Sequence, residues 1–284
     1  MKALFIVAGI LLLLVLFYFF LLIPRRRRKE TAPFLAHPYA HRGLFGAAVP
    51  ENSLSAFREA VEAGYGIELD VQLSADGEVM VFHDESLLRM TGRDASLYSL
   101  KKSELDDLRL GESDERIPTL HEVLALVDGR VPLLVEIKSD HALGEVCRKT
   151  AAILDEYTGP YMIESFHPLA LRWFRKNRPD VVRGQLSARL FVKGKRTLSM
   201  FVAQNLLLNF LGRPDFIAFD YHNKNRFSFA LCRLLYRPYT VAWTVCDKEA
   251  LVASRRFDAV IFERLTREEL ASEGRLPAVD AEET

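Results

Sequence analysis

Cysteine is scarce in this chain of 284 residues: there are three, Cys147, Cys232 and Cys246, with neither metal-type nor redox-type spacing. So few thiols exclude a disulfide-stapled fold, fit a reducing compartment, and read as ordinary core or helix residues. Net charge is absent too, with 38 basic against 38 acidic side chains. The balance hides an asymmetry, because residues 1–29 contain no acid and hold six bases, Lys2, Arg25, Arg26, Arg27, Arg28 and Lys29. Without them the body carries 32 basic against 38 acidic groups, a net of −6. An acidic body lacks the basic face that nucleic acid requires, so nucleic-acid binding is excluded as a reading. Fifteen Gly and twelve Pro among 49% hydrophobic residues leave no room for a collagenous or disordered chain. No internal repeat is visible.

Charge is also missing from Ala3 to Ile23, a run of 21 residues. At about 1.5 Å per residue a helix of this length matches a hydrocarbon layer of about 30 Å, so residues 3–23 are expected to form a transmembrane helix. The run exceeds the roughly 7 to 15 apolar residues of a signal peptide, and no small-residue cleavage site follows. The RRRRK cluster at 25–29 outweighs Lys2, and the positive-inside rule then puts the N-terminus outside and the body in the cytoplasm. Residues 24–38 read as a basic juxtamembrane linker. Residues 39–284 come close to the roughly 250 residues of one (β/α)8 barrel.

Along that body, β-rich runs alternate with helical patterns: YAHR, GIELDVQL with a hairpin through VMVFHD, LLVEIK, YMIESF, VVRGQLS, DFIAFD, YTVAWTV and DAVIFE. Eight strands separated by helices predict an α/β TIM (β/α)8 barrel, with a polar insertion at about 85–117 that breaks the alternation. The chemistry follows from strand parity. In GIELDVQL, Ile67, Leu69, Val71 and Leu73 share one face, and Glu68, Asp70 and Gln72 share the other. LLVEIK repeats the device with Glu136 and Lys138 turned toward the barrel axis. Clustered interior carboxylates repel one another unless a cation balances them. An all-oxygen set without thiolate selects a hard divalent ion, Mg²⁺ or Ca²⁺. Salt bridges to Arg42 and Lys138 are the competing explanation for Glu68 and Asp70. His41 and His83 stand at strand ends, where barrels place catalytic groups, and a histidine pair can take and give protons near neutral pH. Arg42 and Lys138 suit phosphate oxygens. The other five histidines read as ordinary structural residues.

The series HRG at 41–43, PENS at 50–53, ELDVQ at 68–72, FHD at 82–84 and VEIK at 135–138 resembles the glycerophosphodiester phosphodiesterase family, and SFHP at 165–168 and WTV at 243–245 extend the match. The resemblance implies a TIM barrel with a small insertion after the second strand and one divalent ion held by Glu68, Asp70 and Glu136. It implies His41 and His83 as the acid/base pair, Arg42 and Lys138 on the phosphate, Glu51 and Asn52 in the pocket wall, and Trp243 at the glycerol end. In that chemistry a neighbouring hydroxyl attacks phosphorus and water opens the cyclic phosphate. The expected activity is hydrolysis of glycerophosphodiesters to glycerol phosphate and an alcohol, with lysophospholipase D action on membrane lysophospholipids as the alternative and a catalytically silent lipid-binding barrel as the rival. Two departures stand out. IFERL at 261–265 replaces an ITD-like turn, which leaves Glu263 in the place of the usual Asp, and Cys246 follows WTV where the family has Asn. Finally, TLSMFVAQNLLLNFLG at 197–212 holds no charge and lies among Lys193, Lys195, Arg196 and Arg213. It is too short to span a membrane. It reads either as a buried barrel helix or as an interfacial helix that holds the barrel mouth against the bilayer.

Overall fold

The computed structural model describes residues 1–27, 29–138, 141–190 and 197–276. Nine strands form one closed sheet: β1 (Tyr39–Ala40), β2 (Gly66–Leu73), β3 (Val79–Val81), β4 (Leu133–Ile137), β5 (Tyr161–Ser165), β6 (Arg183–Ser187), β7 (Phe216–Asp220), β8 (Tyr239–Val245) and β9 (Ala259–Phe262). All but β3 are parallel, and β1 pairs with both β2 and β9, which closes an eight-stranded barrel. The extra strand β3 pairs antiparallel with the end of β2, so it carries His83 back over the same rim as Asp70.

Parity decides what each face buries. Ile67, Leu69 and Val71 of β2 and Val135 and Ile137 of β4 point outward into one core with the surrounding helices α2 (Leu54–Glu62), α5 (Leu120–Val127), α6 (Leu143–Asp155) and α7 (Pro168–Asn177). The lower barrel interior is a second apolar cluster that includes Tyr39, Leu134, Met162, Phe216, Val241 and Ile261. Gly66 and Gly184 make room for it, because a Cβ at either position would lie within 3 Å of the Tyr39 or Phe216 ring. A dry floor therefore lies beneath the acidic upper layer. The stretch 85–117 holds α3 (Leu88–Thr91) and α4 (Lys102–Leu105) and has its own small core, with Leu87, Leu97, Leu105 and Ile117 packed on Met80 and Phe82. Side-chain caps fix the helix starts, for example Ser53 on α2 and the reciprocal Thr119–Glu122 pair on α5.

The N-terminal helix α1 (Lys2–Leu22) is long and apolar enough to cross a membrane, and none of its first 17 residues is buried. Its last turn is part of the barrel wall. Leu22 is fully buried, and its carbonyl accepts from Asn209 Nδ2 at 3.2 Å. Tyr236 Oη donates to the Phe19 carbonyl at 2.7 Å, and the Tyr18 and Ser228 hydroxyls lie 2.9 Å apart. The partners belong to α9 (Asn209–Gly212) and α10 (Phe227–Tyr236). Residues 24–27 and 29–38 then run under the base of the barrel. Arg25 N donates to the Pro214 carbonyl, Arg27 bonds Arg237 O and Asp258 and covers the Tyr239 ring, and Leu35 enters the inner floor. Arg28 lies outside the described residues.

The reading of 197–212 as one helix is corrected. The segment breaks into α8 (Leu198–Gln204) and α9, because Asn205 turns to receive the Ser228 hydroxyl and Leu206 adopts φ 59°. Gln204, Leu206, Asn209 and Gly212 are buried, whereas Leu198 and Phe201 face solvent. The flanking Lys193, Lys195 and Arg196 lie outside the described residues. The last helices are α11 (Lys248–Ala253) and α12 (Arg267–Ser272).

Candidate active site

Parallel pairing places Asp70 opposite Glu136 and Glu136 opposite Glu164 in one ring at the carboxyl ends of β2, β4 and β5. One carboxylate oxygen from each of Glu68, Asp70 and Glu136 lies within 4.8 Å of the others, and all three residues are buried. Oxygens so spaced can share one centre at roughly 2.0–2.6 Å, the range of Mg²⁺ and Ca²⁺ ligands. Burial, reinforced by Asp70 and Glu136, pushes the Glu68 carboxyl well above the usual range. Burial also lifts Glu136 to about 7, with Asp70 adding to it and Lys138 opposing. Asp70 goes the other way: burial opposes its charge, but Lys138, His83, Arg42 and the Asn52 amide hold it well below the usual range.

The cations are present but outnumbered. Lys138 Nζ lies 3.1 Å from Glu136 Oε1 and 3.3 Å from Asp70 Oδ1, and these carboxylates keep its ammonium charged in spite of burial. Arg42 Nε lies 3.5 Å from Asp70 Oδ2, its backbone N–H donates to Glu68 Oε2 at 2.9 Å, and its Nη1 serves Glu51 at 2.8 Å. Four interior carboxylates, counting Glu164, thus face two cations, and one of those is shared with Glu51. The salt bridges are real and leave negative charge over, which is the deficit a divalent ion fills. Asp70 Oδ1, buried and met by no hydrogen bond besides the Lys138 ion pair, supports the same fit. The PENS turn completes the wall. Asn52 Nδ2 donates to Asp70 Oδ2 at 2.9 Å from a left-handed backbone, and Arg42 is left-handed too, with φ of 55° and 56°. Such backbones cost about 1–3 kcal/mol and cluster at functional sites.

Each histidine is held by a carboxylate. His41 Nδ1 donates to Glu263 Oε1 at 2.5 Å, which leaves Nε2 free on the side of Glu68, 3.8 Å away. The hydrogen bond from His41 in turn holds Glu263 below the usual carboxylate range. His83 Nδ1 donates to Asp84 Oδ1 at 2.7 Å, Arg89 donates to Asp84 at 2.5 Å, and Arg89 also grips Glu51. Gln72, the third inward residue of β2, donates to the carbonyls of Phe82, His83 and Asp84 and fixes the loop that carries this imidazole. Burial, with Lys138 and Arg42, lowers the His83 pKa against the pull of Asp70.

All ten residues singled out from sequence lie at the carboxyl-end face of the barrel. Trp243, at the end of β8, meets Phe166 edge to face at 5.4 Å, and its buried indole N–H has no acceptor. The reading of all three cysteines as ordinary core or helix residues is corrected for Cys246. It is exposed, 4.0 Å from Glu263 Oε2, because the chain leaves the barrel there; Cys147 and Cys232 are buried. Sequence reasoning missed Glu164, Asp84 and Arg89. Glu164 is buried with Oε2 unpartnered, and burial together with Glu68, Glu136 and Asp70 pushes its carboxyl well above the usual range. The parity of YMIES, with Met162 and Glu164 on one face, was the signal for it. Of the ordinary histidines, His167 caps α7 and His141 stacks on Tyr98.

A large cavity lies elsewhere. About 930 Å³ in volume, it sits at the base of the barrel beneath Ile23, is lined by Arg25, Arg175 and Arg213, and contains neither the histidines nor the carboxylate cluster.

Fold and cluster together define a (β/α)8 barrel with a candidate divalent-ion centre at the face where such barrels work. The chain belongs to the glycerophosphoryl diester phosphodiesterase family, whose family model matches residues 41–216. It is 39% identical over 159 residues to a glycerophosphodiester phosphodiesterase of Caldanaerobacter subterraneus, an overlap of 52% of this chain and 65% of that one. It is 31% identical over 143 residues to a human lysophospholipase D, covering 45% of this chain and 44% of the relative. The chain thus spans less than two thirds of the length of these relatives. Among solved structures it is similar to an Oleispira antarctica phosphodiesterase in complex with the product sn-glycerol-3-phosphate, with a TM-score of 0.66 and 25% identity over 80% of this chain and 92% of that one.

Proposed function

We propose that this chain hydrolyses glycerophosphodiesters to glycerol phosphate and an alcohol, with one divalent ion, Mg²⁺ or Ca²⁺, held by Glu68, Asp70 and Glu136. The observation that carries the reading is the placement of that cluster between two imidazoles, each held at Nδ1 by its own carboxylate. When bound, the ion neutralises the cluster and polarises a phosphoryl oxygen. Arg42 and Lys138 bind the remaining phosphate oxygens, while Glu51 and Asn52 keep Arg42 and Asp70 in place. One imidazole takes the proton of the neighbouring glycerol hydroxyl as its oxygen attacks phosphorus, and the other gives a proton to the alcohol oxygen as its bond to phosphorus breaks. Water then opens the cyclic phosphate with the proton roles reversed. Trp243 borders the glycerol end. A catalytically silent barrel would have lost one of these groups, and all are present.

The apolar α1 supports a single membrane span, and the basic residues that follow it support an N-terminus outside with the barrel in the cytoplasm. Attachment, together with the likeness to a lysophospholipase D, favours lysophospholipids as a second substrate class. The test is an assay of the full chain in detergent with Mg²⁺, Ca²⁺ or chelator, against glycerophosphocholine, glycerophosphoethanolamine and lysophosphatidylcholine. Ion-dependent release of the alcohol that Glu68→Gln and Glu136→Gln abolish is expected. Folded protein that cleaves none of the three, or cleaves them fully in chelator, would overturn the proposal.

A further inference from the structure

The way α1 is mounted on the barrel gives the membrane a side. Tyr18 meets Ser228 and Leu22 meets Cys232, so α1 and α10 advance together, four residues for four, and run in the same direction. In a parallel barrel the helix after β7 starts at the carboxyl ends of the strands and descends toward their amino ends. The chain after Leu22 agrees: Arg25 reaches Pro214 and Arg27 reaches Arg237 and Pro238, at the amino ends of β7 and β8. Traced backward from Tyr18, α1 therefore leaves the barrel past Phe227, the first residue of α10, on the face that holds His41, His83 and the carboxylates.

We infer that the bilayer lies against this catalytic face, so that the site opens onto the leaflet and takes glycerophosphodiesters that carry an acyl chain. The inference rests on the proposed reading of α1 as a membrane span, and two further observations support it. First, the rim on this face is apolar and open: Leu169, Leu198, Phe201 and Phe227, in the first turns of α7, α8 and α10, are 44%, 78%, 46% and 73% exposed. Second, Tyr18 stands at the level of this rim and stacks on Phe227 at 6.4 Å, an aromatic pair of the kind found at headgroup depth. Arg189 and Arg226, beside the rim, match phosphate headgroups. An amphiphilic diester can then lower its headgroup to the carboxylate ring while its tail stays in the membrane.

The test uses the full chain in phosphatidylcholine vesicles with 20% anionic lipid. In a Cys246→Ser background, an environment-sensitive fluorophore is placed at a cysteine introduced for Phe201, for Phe227, or for Arg256 at the base of the barrel. Vesicle flotation is run on the same samples. Co-flotation with apolar, lipid-quenched signals at 201 and 227 and an aqueous signal at 256 is expected. Co-flotation with aqueous signals at 201 and 227 would overturn the orientation and leave the span standing; failure to float would overturn both. The second arm measures Phe201→Asp with Phe227→Asp. A loss of about tenfold or more in kcat/KM on lysophosphatidylcholine in vesicles is expected, with kcat/KM on soluble glycerophosphocholine unchanged. Equal change on the two substrates, or none on either, would overturn supply from the leaflet. Absence of activity on both substrates in the parent chain would refute the proposed hydrolysis, and the probes would still decide the orientation.

Discussion

Removing the ion and then raising the pH should unfold this barrel in a graded, calculable way. Without metal, Glu68, Glu136 and Glu164 sit in one buried cluster, and burial, reinforced by neighbouring carboxylates, raises all three carboxyls. A carboxyl raised in the folded state binds more protons there than in the unfolded chain. Its stabilising contribution is therefore complete below the unfolded value and is lost as pH rises through the folded one. For Glu136 that window runs from the usual 4.5 to about 7. At about 1.4 kcal/mol per pH unit this is roughly 3 kcal/mol, to which Glu68 and Glu164 add with the same sign. Asp70, held low, contributes in the opposite sense, but its loss comes only as pH falls below the usual carboxylate range, outside this window. For a domain of this size about 3 kcal/mol corresponds to some 6–12 °C in Tm. The assay is thermal unfolding of the full chain in detergent at pH 5 and pH 8, in chelator and in excess Mg²⁺ or Ca²⁺. The metal-free Tm should fall by at least that amount between the two pH values, and the ion should remove most of the fall by replacing protons in the cluster. A metal-free Tm that stays level or rises would refute the reasoning, because Arg42 and Lys138 would then suffice to neutralise the cluster.

Four further outcomes follow from the same geometry. His41→Ala and His83→Ala should each lower kcat by about 10²–10⁴, and a substrate with a good leaving group should restore the variant that lacks the acid and not the other, as read from steady-state rates on the two substrates. Glu164→Gln keeps the shape of a protonated carboxyl; it should leave catalysis at pH 7 within a few-fold of the parent and flatten the metal-free Tm between pH 5 and 8, whereas a large drop in metal affinity by titration calorimetry would show an ionised ligand instead. Leu22→Ala, at a fully buried site, should cost about 2–5 kcal/mol in denaturant unfolding, and an effect under 1 kcal/mol would contradict the docking of α1. Cys246 is the exposed thiol of the three; in intact cells a membrane-impermeant maleimide should leave it unlabelled if the barrel is cytoplasmic, and should label it in inverted vesicles.

What could be read in advance was whatever depends on local alternation. Glu68 and Asp70 share a face because β2 is a strand, and the same parity turns Glu136 inward, so the cluster follows once the strands are recognised. Glu164 obeys the same rule and was passed over because it belongs to no recognised motif. The roles of Asp84 and Glu263 depend on side-chain rotamers that bring them to imidazole nitrogens, and Arg89 reaches Asp84 and Glu51 from an insertion whose polar sequence shows no periodicity. The break between α8 and α9 comes from a tertiary hydrogen bond between Asn205 and Ser228, which no local propensity encodes. The apolar run at 3–23 announced a helix, but not that its last turn would be built into the barrel, since that depends on α9 and α10 lying where the barrel puts them.

That last turn sets an order of events during synthesis. Tyr18 and Ser228 lie 210 positions apart, and Phe19 and Tyr236 lie 217 apart, so α1 leaves the ribosome long before its seat exists. Until α9 and α10 are made, Leu22 has nothing to bury it, and until α1 is in place the wall between them stays open beside Asn209 and Cys232. Ribosome-bound chains halted before residue 209 should therefore expose Leu22 to protease or chaperone, and chains carried past 236 should not.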